Sequence, residues 1–169
     1  MQLRKLVRFS NILSWCNLII AALLILFALV SGLTVLGIVN ALTPIVLLGS
    51  ILLHSYAAIQ LSRSLLRPSI PLSRQTPTGI RLLGYISLFF AFLYGASGIA
   101  ILQNSKELLK QVEIPAELKS VNIERIFRVS AIFALIYSIA IIVNVIINFR
   151  LLRWFYFLQQ PDREKKQEQ

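Results

Sequence analysis

FSNILSWCNLIIAALLILFALVSGLTVLGIVNALTPIVLLGSILLHSYAAIQLS, residues 9–62, separates Arg8 from Arg63 without a single Lys, Arg, Asp or Glu. A soluble domain carries about a quarter charged residues, so a gap this long is foreign to one. The chain as a whole is 57% hydrophobic and 14% charged, with a mean hydropathy of +0.75. Two shorter charge-free windows follow, at 82–105 and 129–149. About 20 mostly apolar residues cross a bilayer as a helix. Each shorter window fits one crossing, and the first fits two with a turn between them.

The break in the first window is marked by Gly32, Gly37, Asn40 and Thr43-Pro44. Proline is tolerated in a first helical turn, where its missing N–H would have no partner, and threonine caps the donors behind it. The expected fold is therefore all-α: an integral membrane bundle of four helices with spans at about 11–31, 44–62, 82–103 and 128–149. Residues 1–160 form one domain, and the apolar linker 32–42 lies along the membrane surface. The first span has the basic start of a signal peptide, but its apolar core exceeds 15 residues and lacks a small-x-small site before Gly32. It is read as retained. The lone Cys16 has Trp15 before it and the apolar core after it, which does not suit a lipid-modified leader. It is expected as a small buried side chain.

Cationic residues in short connections set orientation. Arg4, Lys5 and Arg8 precede the first span; Arg63, Arg67, Arg74 and Arg81 join the second to the third; Arg150, Arg153, Arg163, Lys165 and Lys166 follow the fourth. These three segments fall on one side and hold twelve of the 17 cations. The other side has only the five of residues 104–128, which meet Glu107, Glu113, Glu117 and Glu124. Both termini are thus expected in the cytoplasm, in an inner or plasma membrane. The net charge of +10 is then a topology signal, with no nucleic-acid partner implied. Trp15, Trp154, Phe155, Tyr156 and Phe157 sit near the cytoplasmic ends, where aromatic rings favour the interface. The fourth helix should stop at Pro161, leaving 161–169 as a polar, disordered tail.

In lipid, small residues and polar contacts decide which helix faces meet. Ser10, Ser14, Asn17, Ala21, Leu24, Ala28 and Ser31 recur by fours and threes in the first span, and Thr43, Leu47, Ser50, His54, Ala57 and Leu61 in the second. Gly84, Ser87, Ala91, Gly95 and Gly98 form a small-residue groove in the third. Tyr137, Ile141, Asn144 and Asn148 share a face of the fourth, flanked by Ala134 and Ser138. Alternating fours and threes is the period of a left-handed bundle.

Asn17, Ser50, His54, Tyr137, Asn144 and Asn148 are the candidate intramembrane polar cluster. Proton pathways and coupled carriers ordinarily need buried carboxylates or cations, and the four spans have none. A lone histidine without Cys, Asp or Glu around it makes no metal site. His54 is read as a neutral ring bonded to a neighbour such as Asn17 or Tyr137, and no cofactor or metal is expected. Residues 104–127 alternate charged and apolar side chains, which suits two short amphipathic helices hinged at Pro115. They serve as a cover over the bundle or a docking surface. The arginines Arg63, Arg67, Arg74, Arg81, Arg150 and Arg153 suit anionic lipid headgroups. "SRSLLRPS" against "FRLLRWF", and "RFSNILS" against "RLLGYIS", hint at a parallel internal repeat.

No G-x-S-x-G, H-E-x-x-H, P-loop or dinucleotide fingerprint is present, which counts against an enzyme. Two readings remain. One is a non-catalytic accessory or scaffold subunit that meets a protein partner, or itself, through its helices. The other is an oligomeric channel or small-solute carrier with a polar cavity around His54. The topology is testable: reporters fused to each end should both be active only in the cytoplasm, and opposite locations for the two ends would overturn the orientation.

Overall fold

The computed structural model describes residues 2–31, 38–67, 69–111 and 122–167. They form four helices: α1 (Gln2–Ser31), α2 (Ile38–Leu66), α3 (Thr76–Gln111) and α4 (Ile123–Gln167). Each contains a stretch long and apolar enough to span a membrane: Leu3–Val30, Leu42–Leu66, Thr76–Ser105 and Ile123–Leu158. The fold is all-helical, and the count of four agrees with the charge-free windows.

The helices overrun their expected ends. α2 starts at Ile38, so Pro44 lies inside it and exposed Thr43 is no cap. The linker predicted at 32–42 is accordingly helical from residue 38 onward; residues 32–37 lie outside the described set. The proline costs the N–H bond to the carbonyl of Asn40 and some crowding there, close enough to the start of the helix that the turns after it continue. α3 begins at Thr76, whose Oγ1 donates to Gln60 Oε1 of α2 at 3.0 Å. Pro77 then sits in the first turn, where proline is at home. The backbone bends at Asn104 (φ −117°, ψ 22°) and helix resumes to Gln111. The first amphipathic segment is thus an extension of α3 beyond a kink, while the expected hinge at Pro115 falls outside the described residues. α4 is capped by Asn122, whose Oδ1 accepts the Arg125 N–H at 3.1 Å. An i,i+4 pair between Glu124 and Arg128, 2.8 Å apart, steadies the first turn. At its far end α4 continues through Pro161 to Gln167, where a stop and a disordered tail were expected. The proline removes one backbone bond, and the turns on either side carry the helix past it.

Each helix runs antiparallel to the next, α4 closes back on α1, and α2 touches α4 across the diagonal. Ala21, Leu48, Ile51, Phe90, Ala91, Tyr137, Ile141 and Val145 form one apolar cluster. Val7, Ala57, Leu61, Ile80, Leu151 and Leu152 form a second, nearer the arginine-rich ends. Many large side chains also face outward: Phe27 is 72% exposed and Phe92 66%. The inward faces combine the Leu, Ile and aromatic residues of the two clusters with small and polar ones. Cys16, expected inside, is exposed, because the buried stripe runs through Ser14, Asn17 and Ala21 and leaves position 16 on the outer side.

All five residues of the α3 groove, Gly84, Ser87, Ala91, Gly95 and Gly98, are buried. A Cβ on Gly84 would stand 2.6 Å from the Phe149 ring and 3.2 Å from the His54 ring. One on Gly95 would meet Ser138 Oγ at 2.8 Å, and one on Gly98 the Ala131 carbonyl oxygen at 3.0 Å. Gly49 and Gly79 have open space around them. Overpacking costs about 1–3 kcal/mol, whereas replacing an unconstrained helical glycine by alanine gains up to about 1 kcal/mol. Gly98→Ala and, more strongly, Gly95→Leu should therefore destabilise the bundle, and Gly49→Ala should not. Unfolding in detergent micelles, followed by circular dichroism, measures the contrast.

Candidate functional site

Interior polar residues fall on all four helices, and those of α1 and α4 share a register. α1 presents Ser10, Ser14 and Asn17 in steps of four and three, all buried. Antiparallel α4 presents Asn148, Asn144 and Tyr137 opposite them, also buried. The rungs are direct. Ser10 Oγ donates to Asn148 Oδ1 at 2.7 Å, and Ser14 Oγ donates to Asn144 Oδ1 at 2.9 Å. Asn148 Nδ2 donates to the same Asn144 oxygen at 3.1 Å, a bond along α4 that ties the two rungs together. One step further, Tyr137 OH donates to the backbone carbonyl of Asn17 at 3.3 Å. Between α3 and α4, Ser138 Oγ donates to the Ala91 carbonyl at 2.7 Å.

The Tyr137 ring is held edge-on to Tyr94 (centroids 6.3 Å apart) and stacked on Phe133 (5.9 Å). Tyr94 in turn stacks on Phe90. This aromatic run spans α3 and α4 and aims the phenol at α1.

His54 has a different setting. It is 1% exposed and lies against Gly84. Both ring nitrogens are buried without a hydrogen bond of ordinary geometry, and the polar group the ring approaches is the Ile80 backbone. The expected partners do not serve it: Tyr137 reaches the Asn17 carbonyl instead, and the Asn17 side-chain amide is itself buried without a partner. Ser50 turns back to the Leu47 carbonyl of its own helix at 2.6 Å. Ser87 Oγ, one turn from Gly84, is also unpartnered. The six candidate residues are thus all interior, but they divide. Asn144 and Asn148 form a bonded ladder with α1, Tyr137 and Asn17 share one contact, and His54 and Ser50 stand apart from both.

Sequence reasoning placed Ser10, Ser14 and Ser138 on packing faces and did not single them out as partners. Their small hydroxyls at four-residue steps were the available signal. The six arginines Arg63, Arg67, Arg74, Arg81, Arg150 and Arg153 are all exposed. Among the described residues, no three His, Cys, Asp or Glu side chains converge as metal donors would. Comparison with protein-family models, with curated proteins and with solved structures finds no match to this chain.

Asn144 accepts two hydrogen bonds through one oxygen, so its loss strands both donors. Interhelical hydrogen bonds within membranes average about 0.6 kcal/mol and reach about 1.7. Asn144→Ala should cost about 1–2 kcal/mol and Ser14→Ala about half of that. A double-mutant cycle on the pair should return a favourable coupling in detergent unfolding; zero coupling would show that the rung contributes nothing.

Proposed function

We propose that this chain is a multi-pass protein of the inner or plasma membrane, a left-handed bundle with both termini in the cytoplasm. Its role is non-catalytic: it is an accessory or scaffold subunit that works by association within the membrane. The observation that carries this reading is the distribution of side chains. Large apolar residues cover the outside, while serines, asparagines, a tyrosine and a histidine share the inside with Leu, Ile and Ala. That arrangement suits an apolar solvent, where polar groups are stable only when paired between helices. Ser10, Ser14, Ser138, Asn144, Asn148 and Tyr137 are spent on such pairing, which leaves the outer apolar faces of the helices as surfaces to meet other proteins.

A second reading rests on His54, Asn17 and Ser87. Their buried, unpartnered atoms favour a small polar path for an uncharged solute, completed by oligomerisation. Purification from native membranes in mild detergent separates the two. A stoichiometric second polypeptide that stays bound through gel filtration, with no solute flux after reconstitution into liposomes, is the expected result. A pure homo-oligomer that conducts, and stops conducting in His54→Leu, would replace the scaffold reading with the channel.

A further inference from the structure

Where the N-terminal end of α3 meets the C-terminal part of α4, a surface groove of about 260 Å³ is lined by Arg81, Tyr85, Phe149, Leu152, Arg153 and Tyr156. Its floor is fixed. Leu152 is 2% exposed, and the Phe149 ring is seated over Gly84 with Tyr85 5.3 Å away, centroid to centroid. Its rim carries two cations. The Arg81 guanidinium lies 5.6 Å from the centre of the Tyr156 ring, a cation–π contact that orients it without neutralising it. Arg153 lines the same groove from α4 and also borders a second hollow of about 300 Å³ formed with Trp154 and Phe157. Neither arginine has an acidic partner among the described residues, where the ion pair present is Glu124–Arg128 at the far end of the bundle. Phe157 is 66% exposed and Trp154 41%, so the apolar surface runs on past the cations.

We propose that this groove is a binding site for one anionic phospholipid. It rests on the reading of the chain as membrane-spanning. The phosphate sits between the Arg81 and Arg153 guanidiniums, which present forked donors suited to phosphate oxygens. The glycerol occupies the groove, and the acyl chains lie along Tyr85 and the apolar flank of α4. The volume accommodates a headgroup and not a whole lipid, which is the division expected of a ligand whose tails remain in the bilayer. Two unneutralised guanidiniums, one of them oriented by Tyr156, beside an aromatic-walled groove select for negative charge, whereas a zwitterionic headgroup brings its own cation into the same space. The site differs from the general attraction of the other cytoplasmic-side arginines because Arg81 is held in place by Tyr156 and shares one groove with Arg153 over a built floor.

Trp154 borders the site and reports on its occupant. In a Trp15→Phe background it is the one remaining tryptophan. The full chain in nanodiscs containing brominated phosphatidylglycerol, diluted in phosphatidylcholine, should show Trp154 quenching that saturates at low mole fraction. The reverse mixture, brominated phosphatidylcholine diluted in phosphatidylglycerol, should quench weakly. A roughly thirtyfold preference for the anionic lipid is expected, from attraction of about 1 kcal/mol for each of the two arginines. The preference should vanish in Arg81→Gln/Arg153→Gln and persist in Arg63→Gln/Arg67→Gln, which removes the same charge elsewhere. Circular dichroism and gel filtration confirm that the variants are folded. Equal quenching by the two lipids, or equal loss of preference in both double variants, would overturn the site and leave only general surface attraction. Quenching by neither lipid would instead overturn the membrane reading on which the site depends.

Discussion

The seam between α1 and α4 depends on one interaction: serine–asparagine hydrogen bonds that join polar atoms turned inward on the two helices. With the outer faces apolar, burial of Leu and Ile gives little reason for one helix to choose another if the surroundings are equally apolar. The Ser10–Asn148 and Ser14–Asn144 rungs, 2.7 and 2.9 Å long, supply that choice for α1 and α4. They also fix the axial register, since sliding either helix by one turn would leave at most one serine opposite an asparagine and lose a rung. The Asn148–Asn144 bond makes the rungs a unit, so that they hold or fail together.

α3 and α4 solve the same problem by close approach. Gly84, Gly95 and Gly98 remove side chains where α4 and α2 come nearest, and dispersion contacts accumulate along the whole seam. The Ser138–Ala91 bond depends on this proximity, because a serine hydroxyl is too short to reach a neighbouring backbone across an ordinary interhelical gap. Small residues therefore create the contact, and the hydroxyl adds direction to it.

The number of helices and their inward faces were legible because both follow from local rules. A charge-free window has a length, and a stripe at steps of three and four has a direction. The buried positions of Asn17, His54, Tyr137 and Asn144 and the whole groove from Gly84 to Gly98 could be read this way. The pairing of those residues could not. Whether Tyr137 meets His54 or the Asn17 carbonyl depends on the relative heights of two helices far apart in sequence, and no local pattern encodes height. Helix ends were misplaced at Pro44 and Pro161 for a related reason: a proline's cost is set by whether the surrounding turns are otherwise paired. Asn122 as the cap of α4 was within reach, since it stands just before the charged first turn. Cys16 was misjudged because its residue type was weighed above its angular position beside Ser14 and Asn17.

The space left by the missing side chain of Gly84 is filled from two directions, by the Phe149 ring and by the His54 ring. Two helices that otherwise touch only slightly thus lean on a common fulcrum supplied by a third. The interior histidine and the wall of the arginine-rimmed groove meet at one point, the place of an absent methyl group, so that a side chain added there would crowd both at once.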